Sequence, residues 1–256
     1  MSIKHKSALL ITVFLLLNLL AKTQVPTKAY FHSLKAIVIL GAYQNGDTMI
    51  INSANRVKNY LKSRGIRTYF FDGEKTGWNT IKRYAYGANL FIYIGHGQNS
   101  AHTSGGLVLK QTVSREKLVR ELKLHRNALV IMEYVCYAAG SSADDQFTIT
   151  LDNALGRVTN YARPFFKAGA GAYFAVDKLD GAIYFLDKFF QGKNVESIFK
   201  SITFPFYKIE IIKPSAIDST MHIGIASQKV DMGHVKKLYL IAFIAPKNFT
   251  YKDLKR

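Results

Sequence analysis

Two short apolar runs that each end beside a reactive side chain constrain this chain most. The run Leu90–Ile94 leads into a Gly-His-Gly sequence centred on His96, and the run Ala128–Val135 ends at Cys136. Both are rich in aliphatic and aromatic residues and are bounded by small residues, which is typical of buried strands in a parallel sheet. Because ligands bind beyond the carboxyl ends of such strands, we expect His96 and Cys136 to lie at one ligand-binding edge.

The rest of the chain alternates strands with helices. The pattern predicts strands near 36–42, 66–71, 89–94, 128–135 and 171–176. It predicts helices near 48–64, 76–86, 114–122, 181–190 and 195–202, and Ser114 is the predicted cap of the third. A further helix is predicted to begin from a cap at Asp152 or Asn153. Such alternation implies parallel pairing through right-handed crossovers. We therefore predict an α/β fold, a three-layer α/β/α sandwich with a mostly parallel sheet.

A single domain accounts for most of the 256 residues, of which 48% are hydrophobic. We place this domain at residues 34–256, with a core over 36–200 and a C-terminal extension over 201–256. The extension mixes extended patterns with prolines. It is interpreted either as strands added to the sheet edge or as a small flap.

The first 21 residues have the pattern of a secretory signal peptide. Basic residues at positions 4–6 precede an apolar run over 8–20, and Ala21 offers a small residue for cleavage. The run is short for a membrane span, although an uncleaved single-helix anchor is the alternative. Both interpretations predict export, so we expect a secreted or periplasmic protein or one at the cell surface.

The net charge of +18 favours anionic partners. Contact between basic patches and an anionic cell surface is one interpretation, and a lysine-rich solvated surface is the simpler one. No recognition motif or repeated pairing of aromatic and basic residues is present, so nucleic acid is not an expected partner.

Cys136 is the only cysteine of the chain, so it cannot form an internal disulfide. Most free cysteines are small buried apolar residues. The position of this one at a strand end instead favours a nucleophile. A thiol reacts as the thiolate, which a neighbouring imidazole stabilises, and the imidazole can then protonate a leaving amine. Gly97 would let a substrate approach closely, and the backbone N–H groups of Gly97 and Cys136 are candidates for an oxyanion site.

These residues resemble the caspase-like cysteine peptidases, which include caspases, metacaspases, gingipains, clostripain and CHAT domains. The resemblance lies in an apolar run ending in His-Gly (91–97), a second run ending in cysteine (130–136), and the segments 105–109 and 162–172. It covers roughly residues 36–200 and is strongest for the CHAT and gingipain branches. It implies an endopeptidase that acts on polypeptides through an acyl-enzyme, with Cys136 as nucleophile, His96 as general base and acid, and no cofactor.

The sequence departs from that family around the cysteine, because the caspase pentapeptide and the acidic residue of metacaspases are both absent. Specificity for aspartate is therefore not implied. A preference for arginine or lysine, as in gingipains and clostripain, would require a carboxylate in the substrate pocket. Asp47, Asp144 and Asp145 are the candidates, and helix capping or loop solvation is the alternative role for each.

Two alternatives to a cysteine peptidase are also compatible with the sequence. The chain is alternatively a catalytically inactive caspase-like binding domain at the cell surface, or an α/β hydrolase or transferase with another nucleophile. Ser141 and Ser142 lack the motif that surrounds a nucleophilic serine. The remaining histidines lack metal-ligand spacing, so no metal is expected. Glu133 lies inside an apolar strand, where we expect it to pair with a cation.

Overall fold

A computed structural model describes residues 26–43, 47–97, 105–178, 180–203 and 207–256. The predicted signal peptide lies outside these residues. The described strands are β1 (Lys35–Leu40), β2 (Arg67–Asp72), β3 (Leu90–Ile94), β4 (Gly106–Leu107), β5 (Val113–Ser114), β6 (Ala128–Glu133), β7 (Ala170–Val176), β8 (Lys208–Pro214), β9 (Met221–Met232) and β10 (Val235–Pro246). β4 and β5 form a separate small hairpin, and the other eight strands form one sheet.

The order of strands across the large sheet is β2-β1-β3-β6-β7-β10-β9-β8. The pairs among β1, β2, β3, β6 and β7 are parallel, as predicted from the alternation of strands and helices. β10 then pairs antiparallel with β7, and β9 and β8 continue antiparallel to the edge. The last part of the chain is therefore added to the sheet edge and is not a flap.

The helices that the structure describes are α1 (Lys28–His32), α2 (Thr48–Ser63), α3 (Trp78–Ala85), α4 (Arg115–Glu121), α5 (Leu151–Lys167), α6 (Gly181–Phe190) and α7 (Val195–Thr203), with a 3₁₀ helix at Tyr251–Lys255. Ser114 caps α4 as predicted. The predicted cap of α5 was wrong, because Thr150 accepts the hydrogen bond from the Asn153 N–H. Within the described residues, no helix is long and apolar enough to span a membrane.

Two hydrophobic cores lie on opposite faces of the sheet, because successive strand side chains point to opposite sides. In β1, Ile37 and Ile39 contribute to the core beneath α3, α4 and α5. Ala36, Val38 and Leu40 contribute to the core beneath α2, α6 and α7. The protein therefore has an α/β fold, with a large, mostly parallel sheet covered by helices on both faces.

Candidate active site

The register of two central strands brings the ends of the two apolar runs together. β3 and β6 are parallel neighbours, with Ile94 opposite Glu133, and the Gly95 N–H donates to the Glu133 carbonyl at 3.1 Å. His96 follows this paired position by two residues and Cys136 by three. Both residues therefore leave the sheet at the carboxyl ends of adjacent strands, where the sequence predicted them.

His96 and Cys136 line the same cavity, which has a volume of about 260 Å³. The β9–β10 hairpin forms an apolar wall of this cavity. The lining residues are His96, Tyr134, Cys136, Ser141, Ser142, Ala143, Asp145, Asp177, Met232, Val235, Leu238 and Leu240. The cavity thus combines a thiol, an imidazole and carboxylates with apolar walls, which is a typical composition for a ligand-binding site.

The imidazole of His96 is oriented by Asp47, just before α2. His96 Nε2 lies 2.9 Å from Asp47 Oδ2. A carboxylate can only accept a hydrogen bond, so this contact places the hydrogen on Nε2 and leaves Nδ1 as the proton acceptor. Asp47 was predicted as a candidate substrate-binding residue, but its position beside the imidazole suits an orienting role in a Cys-His-Asp arrangement.

The buried Tyr93 supports the segment that carries His96. Its hydroxyl lies 2.8 Å from the His96 carbonyl and 2.9 Å from the Val108 carbonyl, and it accepts a hydrogen bond from the Val108 N–H at 3.1 Å. Burial raises the pKa of Tyr93 well above its usual value, so the phenol stays neutral and can donate. The ring packs directly against Gly41, where a Cβ atom would collide with it.

Cys136 lies in a tight turn with a constrained backbone. Tyr134 and Tyr137, on either side of it, have φ angles of 63° and 69°. These left-handed values cost a non-glycine residue on the order of 1–3 kcal/mol and persist only where surrounding contacts hold them. Here the Tyr134 N–H donates to the Val176 carbonyl at 3.0 Å, and the Tyr137 N–H donates to the Ser141 carbonyl at 2.8 Å.

Asp145 stabilises this turn through Arg157 of α5. Both carboxylate oxygens of Asp145 accept hydrogen bonds from Arg157, each at 2.8 Å. Arg157 also donates to the Gly140 carbonyl at 3.1 Å and packs over the ring of Tyr137. Asp145 therefore lines the cavity with its charge already neutralised. A substrate cation would have to compete with a bidentate arginine for it.

The third predicted substrate-binding residue, Asp144, is exposed and makes only local contacts. Its N–H donates to Ser142 Oγ at 3.2 Å, and its Oδ2 lies 3.4 Å from the same hydroxyl and 3.5 Å from the Tyr137 hydroxyl. Asp144 does not line the cavity that contains Cys136. These contacts are those of a polar turn.

The backbones of Gly97 and Cys136 touch. A Cβ atom on Gly97 would lie 2.9 Å from the Cys136 nitrogen and 3.0 Å from its carbonyl carbon, and it would collide with the carbonyl oxygen. Within the described residues, neither the Gly97 N–H nor the Cys136 N–H donates a hydrogen bond. Both remain candidates to bind an oxyanion.

No protein-family model matches the sequence, and it matches none of the curated proteins. The function of this chain must therefore be inferred from the geometry of the site. Among the described residues, no three His, Cys, Asp or Glu side chains are grouped in a way that could hold a metal ion.

The sequence predicted that Glu133, at the end of β6, pairs with a cation, and this prediction was wrong. Its fully buried carboxylate accepts hydrogen bonds from the Ser53 hydroxyl, the Asp180 N–H at 3.2 Å and the Ala182 N–H at 2.8 Å. The described residues place no cation beside it. The N–H groups at the start of α6 satisfy the carboxylate instead, as expected where a helix begins.

The Glu133→Ala variant is expected to lose about 2–4 kcal/mol of unfolding free energy, because it leaves three donors without their acceptor, two of them buried. Burial raises the pKa of Glu133 above its ordinary value of 4.5, against the lowering effect of its hydrogen bonds. The carboxyl group of Glu133 thus keeps its proton in the folded protein at a pH where it has lost the proton in the unfolded chain. The contribution of this group to the unfolding free energy therefore falls as the pH rises from about 4.5 through the raised pKa.

Urea denaturation between pH 4 and 8 measures both effects. The variant should be less stable and should lack the part of the pH slope that comes from Glu133. The exposed Glu116→Ala variant is the control, with a loss below about 1 kcal/mol. A Glu133→Ala loss as small as that of the control would contradict a structural role for this carboxylate.

Sequence reasoning did not single out Asp177, which also lines the cavity. It immediately follows β7, the strand beside β6, and so lies at the same sheet edge as His96 and Cys136. Burial raises its pKa above the usual aspartate value. The pattern that identified Cys136 could also have identified Asp177, because each residue directly follows a buried apolar run.

Proposed function

We propose that this chain is an exported cysteine endopeptidase of the caspase-like type. The observation that carries the proposal is that His96 and Cys136 line one cavity at the carboxyl ends of adjacent parallel strands. Asp47, which lies 2.9 Å from the imidazole, would orient His96 as the base that activates the nucleophile Cys136. The order of the parallel strands, with histidine after β3 and cysteine after β6, supports the resemblance to caspase-like peptidases.

The first half of the reaction forms an acyl-enzyme. His96 takes the thiol proton at Nδ1, and the Cys136 sulfur attacks the carbonyl carbon of the scissile peptide bond. The oxyanion of the tetrahedral intermediate binds the N–H groups of Gly97 and Cys136. The C–N bond then breaks, and the leaving amine takes the proton from His96.

The second half releases the acid product. Water replaces the departed amine, gives a proton to His96 and attacks the thioester carbonyl. The C–S bond breaks, and the sulfur recovers the proton from His96. Atoms and charges balance without a metal or a cofactor. Asp47 keeps the imidazole in the tautomer that both halves require.

Export and the basic surface belong to the same proposal. The N-terminal pattern supports a secreted, periplasmic or surface-attached enzyme that meets its polypeptide substrates outside the cytoplasm. The net charge of +18 would favour contact with an anionic cell surface.

The experiment that tests this function compares hydrolysis of a peptide library by the chain and by its Cys136→Ala variant, with the products identified by mass spectrometry. Cleavage by the chain that the variant cannot perform supports the proposal. Cleavage that survives the substitution indicates a different nucleophile. If the folded chain cleaves nothing, an inactive binding domain of this fold is the better description.

A further inference from the structure

Asp177 differs from the other acidic residues near the cavity in having no partner. Asp47 contacts His96, Asp145 binds Arg157, and Asp180 pairs with Arg56. Among the described residues, the carboxylate of Asp177 makes no hydrogen bond and no ion pair. Within the described part of the chain, Asp177 therefore lacks both a hydrogen-bond donor and a cation, although the chain has 35 Lys and Arg residues against 17 Asp and Glu residues.

The lack of a partner for Asp177 lowers the stability of the fold, because its side chain is partly removed from water. The side chain is partly buried, and burial alone raises its pKa. The pKa of Tyr207 is also raised, first by burial and then by the negative charge of Asp177. Removing a carboxylate from water without compensation destabilises a fold. Such a cost is typical of groups kept for binding.

The backbone fixes Asp177 in place. Its N–H donates to the Leu240 carbonyl of β10 at 2.7 Å, so the residue is held between two strands of the sheet. Leu238 and Leu240 of β10 and Met232 of β9 line the same cavity. Their apolar surfaces suit the methylene stem of a long side chain whose charged end reaches the carboxylate.

From this arrangement we propose that Asp177 is the residue that determines specificity, and that it binds the side chain of an arginine or lysine immediately before the scissile bond. The inference rests on the proposed peptidase function and names its substrate class. A cation in the cavity would give the Asp177 carboxylate a partner and cover the apolar wall of the β9–β10 hairpin. Asp144 and Asp145 are less suitable, since the first lies outside the cavity and the second is already bound to Arg157.

Hydrolysis of matched peptides tests this assignment. The peptides carry arginine, lysine, citrulline or leucine before the scissile bond, and citrulline has nearly the shape of arginine without its charge. We expect the chain to prefer arginine or lysine over citrulline by about 100-fold in kcat/KM, and the Asp177→Asn substitution to reduce that ratio to about one.

Two controls separate specificity from structural damage. Asp152→Asn removes an exposed carboxylate outside the cavity and should leave the preference unchanged. The melting temperature of Asp177→Asn should equal or exceed that of the parent, because the substitution removes a desolvated charge. An equal loss on all peptides, or a parent preference for citrulline or leucine, would overturn the assignment.

A binding measurement distinguishes failure of this inference from failure of the peptidase proposal. N-acetyl-arginine amide should slow the alkylation of Cys136 by iodoacetamide in the parent chain, and N-acetyl-citrulline amide should do so much less. That result supports a cation-binding cavity even if no peptide is cleaved. If both amides protect equally, or neither does, Asp177 does not bind a cation, whether or not the chain hydrolyses peptides.

Discussion

The Cys136→Ala variant is expected to lose peptide hydrolysis by at least about 10⁴-fold while keeping its fold. Cys136 is the only thiol of the chain, so no second cysteine can replace it. The nearby serine hydroxyls are already engaged, since Ser141 Oγ accepts from the Tyr239 N–H at 2.8 Å and Ser142 Oγ accepts from the Asp144 N–H at 3.2 Å.

Steady-state kinetics on one cleaved peptide measure the loss, and circular dichroism with thermal melting shows whether the fold survives. The Cys136→Ser variant is the matched control for volume. It should lose nearly as much activity, because a serine hydroxyl beside a single imidazole is a far weaker nucleophile than a thiolate. Residual activity above about a tenth of the parent in either folded variant would exclude Cys136 as the nucleophile.

The Gly97→Ala variant is expected to lose about 100-fold or more in kcat/KM and about 1–3 kcal/mol in unfolding free energy. An added Cβ atom would collide with the Cys136 carbonyl oxygen and lie 2.9 Å from the Cys136 nitrogen. Backbone atoms cannot rotate aside as a flexible side chain can. The segments that carry His96 and Cys136 must therefore separate, which disturbs both the thiol–imidazole geometry and the candidate oxyanion site.

Gly156→Ala is the control for this substitution. Gly156 lies within α5, and a Cβ atom there would meet nothing within 4 Å. Its replacement should leave the activity unchanged and raise the stability slightly, because alanine favours a helix. If Gly97→Ala retains full activity and stability, the close approach of the two segments is not required for function.

The sequence predicted the central sheet and the position of His96 and Cys136 at the ends of adjacent strands because both depend on local patterns. Short apolar runs identify buried strands, and parallel strands bring their carboxyl ends to one edge. Nothing local in the sequence showed that Asp47 would contact an imidazole 49 residues away. The same limit applies to Glu133, whose partners come from α2 and the start of α6.

The pairing of the C-terminal strands could not be predicted from the sequence pattern. The extended segments after residue 207 indicated strands, but their pairing depends on which edge of the sheet is open after β7 is in place. The cap of α5 was misassigned for a smaller reason. Thr150, Asp152 and Asn153 all suit an N-cap, and only the observed hydrogen bond to the Asn153 N–H distinguishes Thr150 from the other two.

The pairing of His96 with Cys136 is tested by the rate at which iodoacetamide alkylates Cys136 at pH 7 in the parent chain and in its His96→Ala variant. If the imidazole accepts the thiol proton, the parent should react at least about tenfold faster than the variant, and the two rates should converge near pH 10, where a thiol ionises unaided. Convergence shows that the sulfur is equally accessible in both proteins. Equal rates at pH 7, or an unreactive thiol at both pH values, would contradict the pairing of His96 with Cys136.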